Sequence, residues 1–308
     1  MPTLRQFRYL VAVADHLNFR RAAEACHVSQ PTLSEQIREM ELRLKVQLIE
    51  RSRQRVVLTA VGREVVEKAR GVLRDVQDII DLAESGRHIL EGTVRLGILP
   101  SLGPYLLPEV LPYLHQRYPN LRLYLREGTT EDILRRLGDG DLDLLIFPMP
   151  VKRRGLSAVA LFREPLWLAL PRSHSLADKI QLEPTDLQDL TVLALEPGHS
   201  LHRKVLALCR DYGATPLLDF ATTSLDTLRQ MAVMNMGATF LPALYVRAEA
   251  QHDDQLVVRP FRQPGPSRDI GMVWREQSAR RAEYLALATH VRDVLTRRVP
   301  EVVPLPQK

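Results

Sequence analysis

The chain has 308 residues, more than one hydrophobic core usually covers, so we expect at least two domains. Its residues are 45% hydrophobic and 26% charged, the composition of an ordinary globular protein, which excludes intrinsic disorder and collagen-like repeats. No stretch reaches the ~18 consecutive apolar residues that a membrane span needs, so we expect no membrane association.

The N-terminal residues and the cysteine count indicate where the chain is located. Arg5 and Arg8 interrupt the apolar run at the N-terminus, so we expect no signal peptide. Cys26 and Cys209 are the only cysteines, which excludes a disulfide framework. Together these features predict a protein of the reducing cytoplasm.

The positive charge is concentrated at the N-terminal end. The formal net charge is +5, and residues 1–62 carry ten basic and six acidic side chains, so most of the excess lies in this segment. A local positive field of this kind attracts phosphate backbones. A solvated basic surface would give the same count, so the charge alone does not decide between the two.

Residues 1–58 have the pattern of three short helices and a hairpin. The first helix has an apolar face formed by Phe7, Leu10, Val11 and Ala14. Asn18 is a suitable N-cap for a second helix, and a third begins near Gln30 with Pro31 in its first turn. The buried positions of that third helix are Leu33, Ile37, Met40 and Leu44. Two short strands, 48–51 and 56–58, then flank a basic tip, which is the layout of a winged helix-turn-helix.

Residues 59–90 contain no proline and predict one long helix. Its apolar residues recur at alternating spacings of four and three, namely Val65, Ala69, Val72, Val76, Ile79 and Ala83. Such a heptad seam predicts a coiled coil with a partner helix. The alternative is an amphipathic helix that packs on its own domain.

From residue 92 onwards, strands alternate with helices. The predicted strands are 93–99, 121–125, 142–147, 166–170, 191–195, 239–241 and 270–274. A final helix is predicted over 279–298, followed by a loose proline-rich tail. This alternation predicts parallel sheets covered by helices, and the length favours two lobes with a cleft between them.

A long segment carries a family resemblance. Residues 19–34 (FRRAAEACHVSQPTLS), 36–41 (QIREME) and 58–62 (LTAVG) resemble the helix-turn-helix signature of LysR-type transcriptional regulators. The resemblance implies an all-α winged helix-turn-helix in 1–58, a linker and dimerisation helix in 59–91, and an α/β regulatory domain in 92–308. That last domain would have two lobes like a type II periplasmic binding protein. Lobe I would comprise about 92–162 and 269–302, and lobe II about 163–268.

Four further segments are similar to the peroxide-sensing branch of that family, namely 103–108 (GPYLLP), 196–199 (EPGH), 223–229 (TSLDTLR) and 241–244 (LPAL). The resemblance places Ser200 where this branch has its peroxide-attacking cysteine, and Cys209 at the resolving cysteine. It also implies a peroxide pocket formed by Ser101, Thr130, His199 and Arg268. Arg203 stands where the branch usually has an aspartate.

Ser200 determines what the sensor chemistry can be in this chain. A hydroxyl cannot pass through the sulfenic acid and disulfide states of a thiol, so we expect the chain to keep its reduced-like conformation at any peroxide level. Two origins stay open, an engineered cysteine-to-serine replacement and a natural paralogue without thiol chemistry. The retained Cys209 favours the first.

The recognition helix presents polar residues suited to duplex DNA. We expect Ser29, Gln30 and Pro31 to enter the major groove, with Gln30 at a base edge. Hydrogen bonds to phosphates are expected from Thr32 and Ser34. The wing cations Arg51, Arg53 and Arg55 would reach phosphate or a minor groove. Glu35 would point away or accept from a cytosine amino group.

These features predict a cytoplasmic transcription activator that responds to hydrogen peroxide in its cysteine-containing form. Promoter DNA would be its partner. The family resemblance implies a homotetramer as its assembly, with dimerisation through the linker helix and RNA polymerase as a further contact. An alternative is a regulator that binds a small organic effector in the cleft without thiol chemistry. We expect no enzyme, because Ser200 lies in no Gly-x-Ser-x-Gly elbow, and no metal or cofactor, because metal-ligand spacings and phosphate loops are missing from the sequence.

Overall fold

The computed structural model describes residues 1–51, 56–85, 90–250 and 253–306. Its contacts divide the chain into two units, Met1–Arg87 and His88–Lys308. We refer to them as the N-terminal unit and the C-terminal unit.

The N-terminal unit consists of helices and one strand pair, which are α1 (Leu4–His16), α2 (Phe19–Ala25), α3 (Gln30–Leu44), β1 (Ile49–Arg51), β2 (Val56–Leu58) and α4 (Ala60–Ser85). The predicted N-cap is confirmed, because Asn18 accepts hydrogen bonds from the backbone N–H groups of Arg20 and Arg21. β1 and β2 pair antiparallel, with Ile49 opposite Leu58. The unit is therefore helical with the small hairpin that the sequence predicts, the layout of a winged helix-turn-helix.

The core of this unit is formed by the apolar faces that the helical spacing predicts. Its fully buried residues include Leu10, Val13, Leu33, Ile37, Met40, Leu48 and Ile49. Helix α4 approaches the loop before β1 so closely that a Cβ on Gly62 would overlap the carbonyl oxygen of Leu48. The same junction is fixed by Thr59, whose hydroxyl accepts from the Gly62 N–H at 2.9 Å and donates to the Gln47 carbonyl at 2.8 Å. The segment 58–62 therefore joins the hairpin to the long helix.

Helix α4 uses two different faces along its length. Val66 is buried in the core of the N-terminal unit, and Ala69, one turn later, is buried as well. Val72, Ile79 and Ile80 are exposed to 38%, 65% and 44%. The first turns of α4 therefore pack on the N-terminal unit itself, which is the alternative to a coiled coil. The later seam residues Val72 and Ile79 lie at the surface of the chain. The side chain of Ala83 lies outside the described residues.

The elements of the C-terminal unit are β3 (Gly92–Ile98), α5 (Gly103–Arg117), β4 (Leu121–Glu127), α6 (Thr130–Asp139), β5 (Leu144–Pro148), β6 (Leu156–Pro171), β7 (Thr191–Leu195), α7 (Ser200–Tyr212), β8 (Thr215–Thr222), α8 (Leu225–Val233), β9 (Ala238–Pro242), α9 (Ala243–Tyr245), β10 (Leu256–Arg259), β11 (Ser267–Arg275), α10 (Arg281–Arg298) and β12 (Val303–Pro304). The hydroxyl of Thr129 accepts from the Asp132 N–H, so Thr129 is the N-cap of α6.

The strands join in the order β4-β3-β5-β11-β6-β9-β7-β8, with β10 and β12 also paired to β6. β3 runs parallel to β4 and β5, and β7 runs parallel to β8 and β9. β6 and β11 pair antiparallel to each other, so the sheet is mixed, with the predicted parallel strands on either side of this pair. The alternation of strands and helices does not predict this antiparallel pair, because β6 and β11 carry the chain from one half of the unit to the other and back.

Two separate hydrophobic cores give the unit its two lobes. The first, which includes Trp274 and Tyr284, surrounds β3, β5 and β11. The second, which includes Phe240 and Tyr245, surrounds β7 and β9. The tail predicted to be loose is instead ordered through β12, where Val303 lies opposite Arg163 of β6. None of the described helices is both long and apolar enough to cross a membrane.

Candidate nucleic-acid interface and candidate polar pocket

The N-terminus of α3 presents the predicted recognition residues at the surface. Ser29, Gln30, Pro31 and Thr32 are all exposed, and Pro31 lies in the first turn as expected. The Ser29 hydroxyl is the N-cap and accepts from the Thr32 N–H at 3.3 Å, while the two hydroxyls lie 2.7 Å apart. Gln30 and Thr32 therefore stand on a helix end whose N–H groups attract anions.

Other predicted contact residues differ in accessibility. Ser34 is only partly exposed and has an interaction within the chain, which weakens its expected role at phosphate. Glu35 is exposed on the same helix. Arg51 is the last residue of β1, and its side chain is outside the part of the chain that the structure describes. Arg53 and Arg55 lie outside the described residues altogether.

Two exposed cations that the sequence analysis did not select lie close in sequence to the recognition residues. Arg21 is in α2 and Arg38 is in α3, two turns after Gln30. Neither forms a hydrogen bond or ion pair with its side chain among the described residues. The helical spacing of eight residues between Gln30 and Arg38 was a usable signal, because such residues share one face.

The C-terminal unit contains a buried polar cluster around Arg268 of β11. The Arg268 guanidinium donates through Nη1 to the Ser101 hydroxyl at 3.0 Å and through Nη2 to the Ser101 carbonyl at 2.9 Å. Its Nε donates to Oε2 of Glu164 on β6 at 2.7 Å. Oε1 of Glu164 accepts from the Leu244 N–H at 2.9 Å. Arg268 thus fixes the loop after β3, but its charge is neutralised by a carboxylate that the sequence analysis did not select.

The turn before α7 places His199 and Ser200. Gly198 has a φ of +101°, a left-handed conformation that glycine adopts without strain, and it lets the chain turn from β7 into the helix. His199 is the N-cap and is 7% exposed, and Ser200 is the first helical residue. Burial lowers the pKa of His199, and the nearby His202 lowers it further, whereas Glu196 opposes the shift.

Two of the predicted pocket residues, and Ser200 at the predicted sensor position, carry buried polar atoms that have no hydrogen-bond partner among the described residues. These atoms are Oγ1 of Thr130, Nε2 of His199 and Oγ of Ser200. Buried polar groups in proteins are nearly always hydrogen-bonded, so each of these atoms is available to a small polar molecule. A hydrogen bond joins Ser101 to Arg268. Thr130 and His199 are buried residues of the same unit.

Cys209 lies in α7, nine residues after Ser200. At 1.5 Å per residue, nine helical residues span about 13.5 Å, far beyond the ~7 Å between Cα atoms that a disulfide permits. Cys209 is 1% exposed, and burial raises the pKa of its thiol to about 11. A thiol of this kind is inert in the present conformation.

A cavity of about 500 Å³ opens beside the first turns of α7. It is lined on the helix by Ser200, Arg203 and Lys204, and across from the helix by Arg163 and Arg268. Among the described residues, no group of three or more His, Cys, Asp or Glu side chains is arranged to hold a metal ion.

Two protein-family models match this chain. The model of the bacterial regulatory helix-turn-helix proteins of the lysR family matches residues 4–63, and the LysR substrate binding domain matches residues 87–296. The chain belongs to the LysR family of bacterial regulators. The predicted family is confirmed, and so is the predicted two-lobed α/β domain behind a winged helix-turn-helix.

Several LysR-family relatives and structures are similar over nearly the whole chain. The DNA-binding transcriptional dual regulator OxyR of Escherichia coli K12 is 41% identical, over 94% of either chain. A hydrogen peroxide-inducible genes activator of Haemophilus influenzae is 37% identical, over 94% of this chain and 96% of the relative. A full-length OxyR of Pseudomonas aeruginosa with a cysteine-to-aspartate substitution is 34% identical, with a TM-score of 0.78 over 94% of either chain. A peroxide-bound cysteine-to-serine mutant of Corynebacterium glutamicum OxyR is 30% identical, with a TM-score of 0.66 over 96% of this chain and 94% of that one.

Membership of the LysR family establishes a DNA-binding transcriptional regulator. The roles of the individual DNA-contact residues, of Ser200 and Cys209, and of the four pocket residues stay predictions. Glu164 and Lys204 escaped the sequence analysis because nothing in their neighbouring residues reveals that one is buried under Arg268 and the other faces a cavity.

Proposed function

We propose that this chain binds promoters of peroxide-response genes and that, with Ser200, it keeps the conformation of a reduced sensor at any peroxide level. The similarity to OxyR and to hydrogen peroxide-inducible genes activators supports the peroxide lineage. The promoter would be read by the exposed end of α3, with Gln30 at a base edge and Thr32 at phosphate.

The observation that carries the proposal is the buried, unpartnered hydroxyl of Ser200. Together with His199 Nε2 and Thr130 Oγ1 it offers hydrogen-bonding atoms to a molecule as small as hydrogen peroxide. Ser101 and Arg268 would complete this pocket. A serine hydroxyl binds peroxide without being oxidised by it, so no bond to Cys209 forms and α7 stays helical.

The test is a footprint on promoter DNA with and without peroxide. The wild-type chain gives the same footprint in both conditions, because Ser200 does not react. The Ser200→Cys variant gives a peroxide-dependent shift, because disulfide formation with Cys209 must unwind α7 to bring the sulfur atoms together.

The matched control is Ser200→Cys combined with Cys209→Ser, which has the reactive thiol but no resolving partner. It is expected to lose the stable shift. A wild-type footprint that moves with peroxide, or a Ser200→Cys footprint that does not, contradicts the proposal.

A second candidate function is control by a small organic effector without thiol chemistry. The observation that favours it is the cavity of about 500 Å³ beside Ser200, a volume within the range of small-molecule sites. Calorimetric titration with metabolites separates it from peroxide sensing, because it predicts saturable heat for a metabolite and none for peroxide.

We further propose that the regulator acts in the cytoplasm by binding rather than catalysis, with domain boundaries at 1–58, 59–91 and 92–308. The exposed Val72, Ile79 and Ile80 of α4 would pair with a second copy, and two such dimers would form a tetramer that contacts RNA polymerase. Sedimentation of an Ile79→Glu variant tests the pairing, because a charge in the seam lowers the assembled mass, whereas Arg38→Gln leaves it unchanged.

A further inference from the structure

The segment that joins α3 to the hairpin is buried, so its backbone groups need partners inside the N-terminal unit. α3 ends at Leu44, and Lys45 adopts the left-handed conformation that turns the chain back along the helix. Leu48 and Ile49, which follow this turn, are fully buried. Because buried backbone N–H groups are nearly always hydrogen-bonded, the partners of these two residues fix the place where the hairpin begins.

One carboxylate oxygen of α3 supplies both partners. Oε1 of Glu41 accepts from the Leu48 N–H at 2.8 Å and from the Ile49 N–H at 3.0 Å. Ile49 is the first residue of β1, so these bonds attach the start of the hairpin directly to α3. Glu41 lies in the last turn of α3, where the helix dipole disfavours a negative charge, so the stability of the helix does not account for a carboxylate there.

The other side of the same segment is attached to the residue before α4. The Thr59 N–H donates to the Leu48 carbonyl at 3.0 Å, which extends the pairing of β1 with β2 by one residue pair. The Thr59 hydroxyl donates to the Gln47 carbonyl at 2.8 Å. The base of the hairpin is therefore fixed on two sides, to α3 by the Glu41 side chain and to the start of α4 by Thr59.

The residues that follow this base indicate what the attachment is for. Arg51, Arg53 and Arg55 lie within the six residues after Ile49 in the sequence. Contacts to phosphate depend on register, so these arginines reach the backbone of a duplex held by α3 only when the hairpin keeps a fixed position relative to that helix.

We propose that Glu41 is a positioning residue for DNA binding, which holds the hairpin against α3 so that the hairpin arginines contact phosphate while α3 occupies the groove. This inference goes beyond the proposed function and rests only on its DNA-binding part. Glu41 acts through its two backbone hydrogen bonds and not through its charge. Its reach, from α3 to the two N–H groups, is therefore the property that matters.

The test compares two conservative variants of the full chain in binding to random-sequence duplex DNA at several salt concentrations. The slope of affinity against salt counts the phosphates that the protein neutralises. Glu41→Asp keeps the charge but is shorter by one methylene group, and it is expected to lower the slope by about two counterions and to bind at least tenfold more weakly at low salt. Glu41→Gln loses the charge but keeps an oxygen that accepts from both N–H groups, and it is expected to retain the wild-type slope.

A role of the charge alone predicts the reverse order. Glu41→Gln would then bind DNA more tightly than the wild type, because a negative charge is removed, and Glu41→Asp would equal the wild type. That result overturns the proposal. Thermal unfolding of each variant gives the temperature range in which it is folded, and binding is measured within that range. Glu64→Ala, which removes an exposed carboxylate of α4, is the control and should not lower the slope.

Combination with hairpin variants shows whether Glu41 acts through the arginines. Arg53→Gln with Arg55→Gln is expected to lower the slope by about two counterions. Adding Glu41→Asp to this pair is expected to lower it no further, because a displaced hairpin has already lost the same contacts. A purely structural role of Glu41 predicts that the two losses add, and additive losses would therefore refute the positioning role.

The same preparations separate this inference from the proposed function. A wild-type chain that prefers peroxide-response promoters to random-sequence DNA, with additive losses in the combined variant, refutes the role of Glu41 alone. Losses that do not add, in a chain that shows no preference for such promoters, refute the proposed function and leave the role of Glu41 in place.

Discussion

Glu164 of β6 and Arg268 of β11 are directly opposite each other on antiparallel strands and form an ion pair that is almost completely buried. The exposed fractions of their side chains are 0% and 6%. The neighbouring pair in the same register, Arg163 with Asp269, has side chains exposed to 51% and 33%. Because successive residues of a strand point to opposite faces, two adjacent charge pairs lie in very different surroundings.

Replacing Arg268 with methionine is expected to lower the free energy of unfolding by roughly 3–5 kcal/mol, because Glu164 is left buried without its cation. Urea denaturation followed by tryptophan fluorescence measures the change.

Arg163→Met is the control for this prediction, since it removes the same type of pair from the exposed face of the same two strands. Its cost is expected to be about 0–1 kcal/mol. Equal losses in the two variants would show that the buried pair has no special role in stability.

The burial of this pair also shows what the sequence could not predict. The helix caps and buried faces of the N-terminal unit could be predicted from local signals. Asn18 and Ser29 bond to backbone N–H groups two or three residues away, and Pro31 lies in the first turn of α3. β6, in contrast, continues from residue 156 to 171, whereas only its last part was predicted. The run Arg163-Glu164-Pro165 looks like a surface loop, and it becomes strand because partners more than a hundred residues away neutralise its charges.

The candidate sites divide in the same way. The exposed end of α3 could be predicted, because one helix supplies all of its residues. The polar pocket could be named only through the family resemblance, because the burial of Thr130 and His199 depends on the packing of the whole C-terminal unit. That Lys204 faces a cavity depends on strands far from it in sequence, β5 and β6 before it and β11 after it.

His199 is expected to make stability depend on pH. Burial lowers the pKa of its imidazole from the ordinary 6.5, while Glu196, whose carboxylate lies 3.9 Å from Nε2, acts in the opposite direction and His202 in the same direction. The unfolded chain then binds a proton more readily than the folded chain. The stability contributed by neutral His199 is therefore present above pH 6.5 and is lost as the pH falls below it.

Thermal unfolding between pH 8 and pH 5 tests this sign. The wild-type melting temperature is expected to fall more steeply below pH 6.5 than that of a His199→Gln variant. His115→Gln, which replaces an exposed histidine of α5, should follow the wild type. Parallel curves for wild type and His199→Gln would rule out the assignment to His199.

Cys209 is expected to react slowly with thiol reagents while the chain is folded. Burial raises the pKa of its thiol from 9.0 to about 11, which lowers the thiolate fraction at pH 8 by about a hundredfold. The side chain is also 1% exposed, so access slows the reaction further.

A Cys26→Ser variant isolates this thiol. At pH 8 its labelling rate in buffer is expected to be at least a hundredfold below its rate in urea. A Cys209→Ser variant, which retains only the more accessible Cys26, serves as the comparison and should label faster in buffer. Similar rates for Cys209 in the folded and unfolded chain would contradict the inert state that the structure indicates.

Gln30→Ala is expected to weaken binding to a specific promoter by about 1–3 kcal/mol, because it removes a side chain able to form two hydrogen bonds to one adenine. Binding to unrelated DNA should change little, so sequence preference is relaxed.

Arg38→Gln is the contrasting variant, since an exposed cation on the same helix is expected to act on phosphate. It should weaken specific and unrelated DNA equally and reduce the salt dependence of binding by about one counterion. Titrations at several salt concentrations measure both effects, and a Gln30→Ala footprint identical to that of the wild type would remove Gln30 from the residues that read bases.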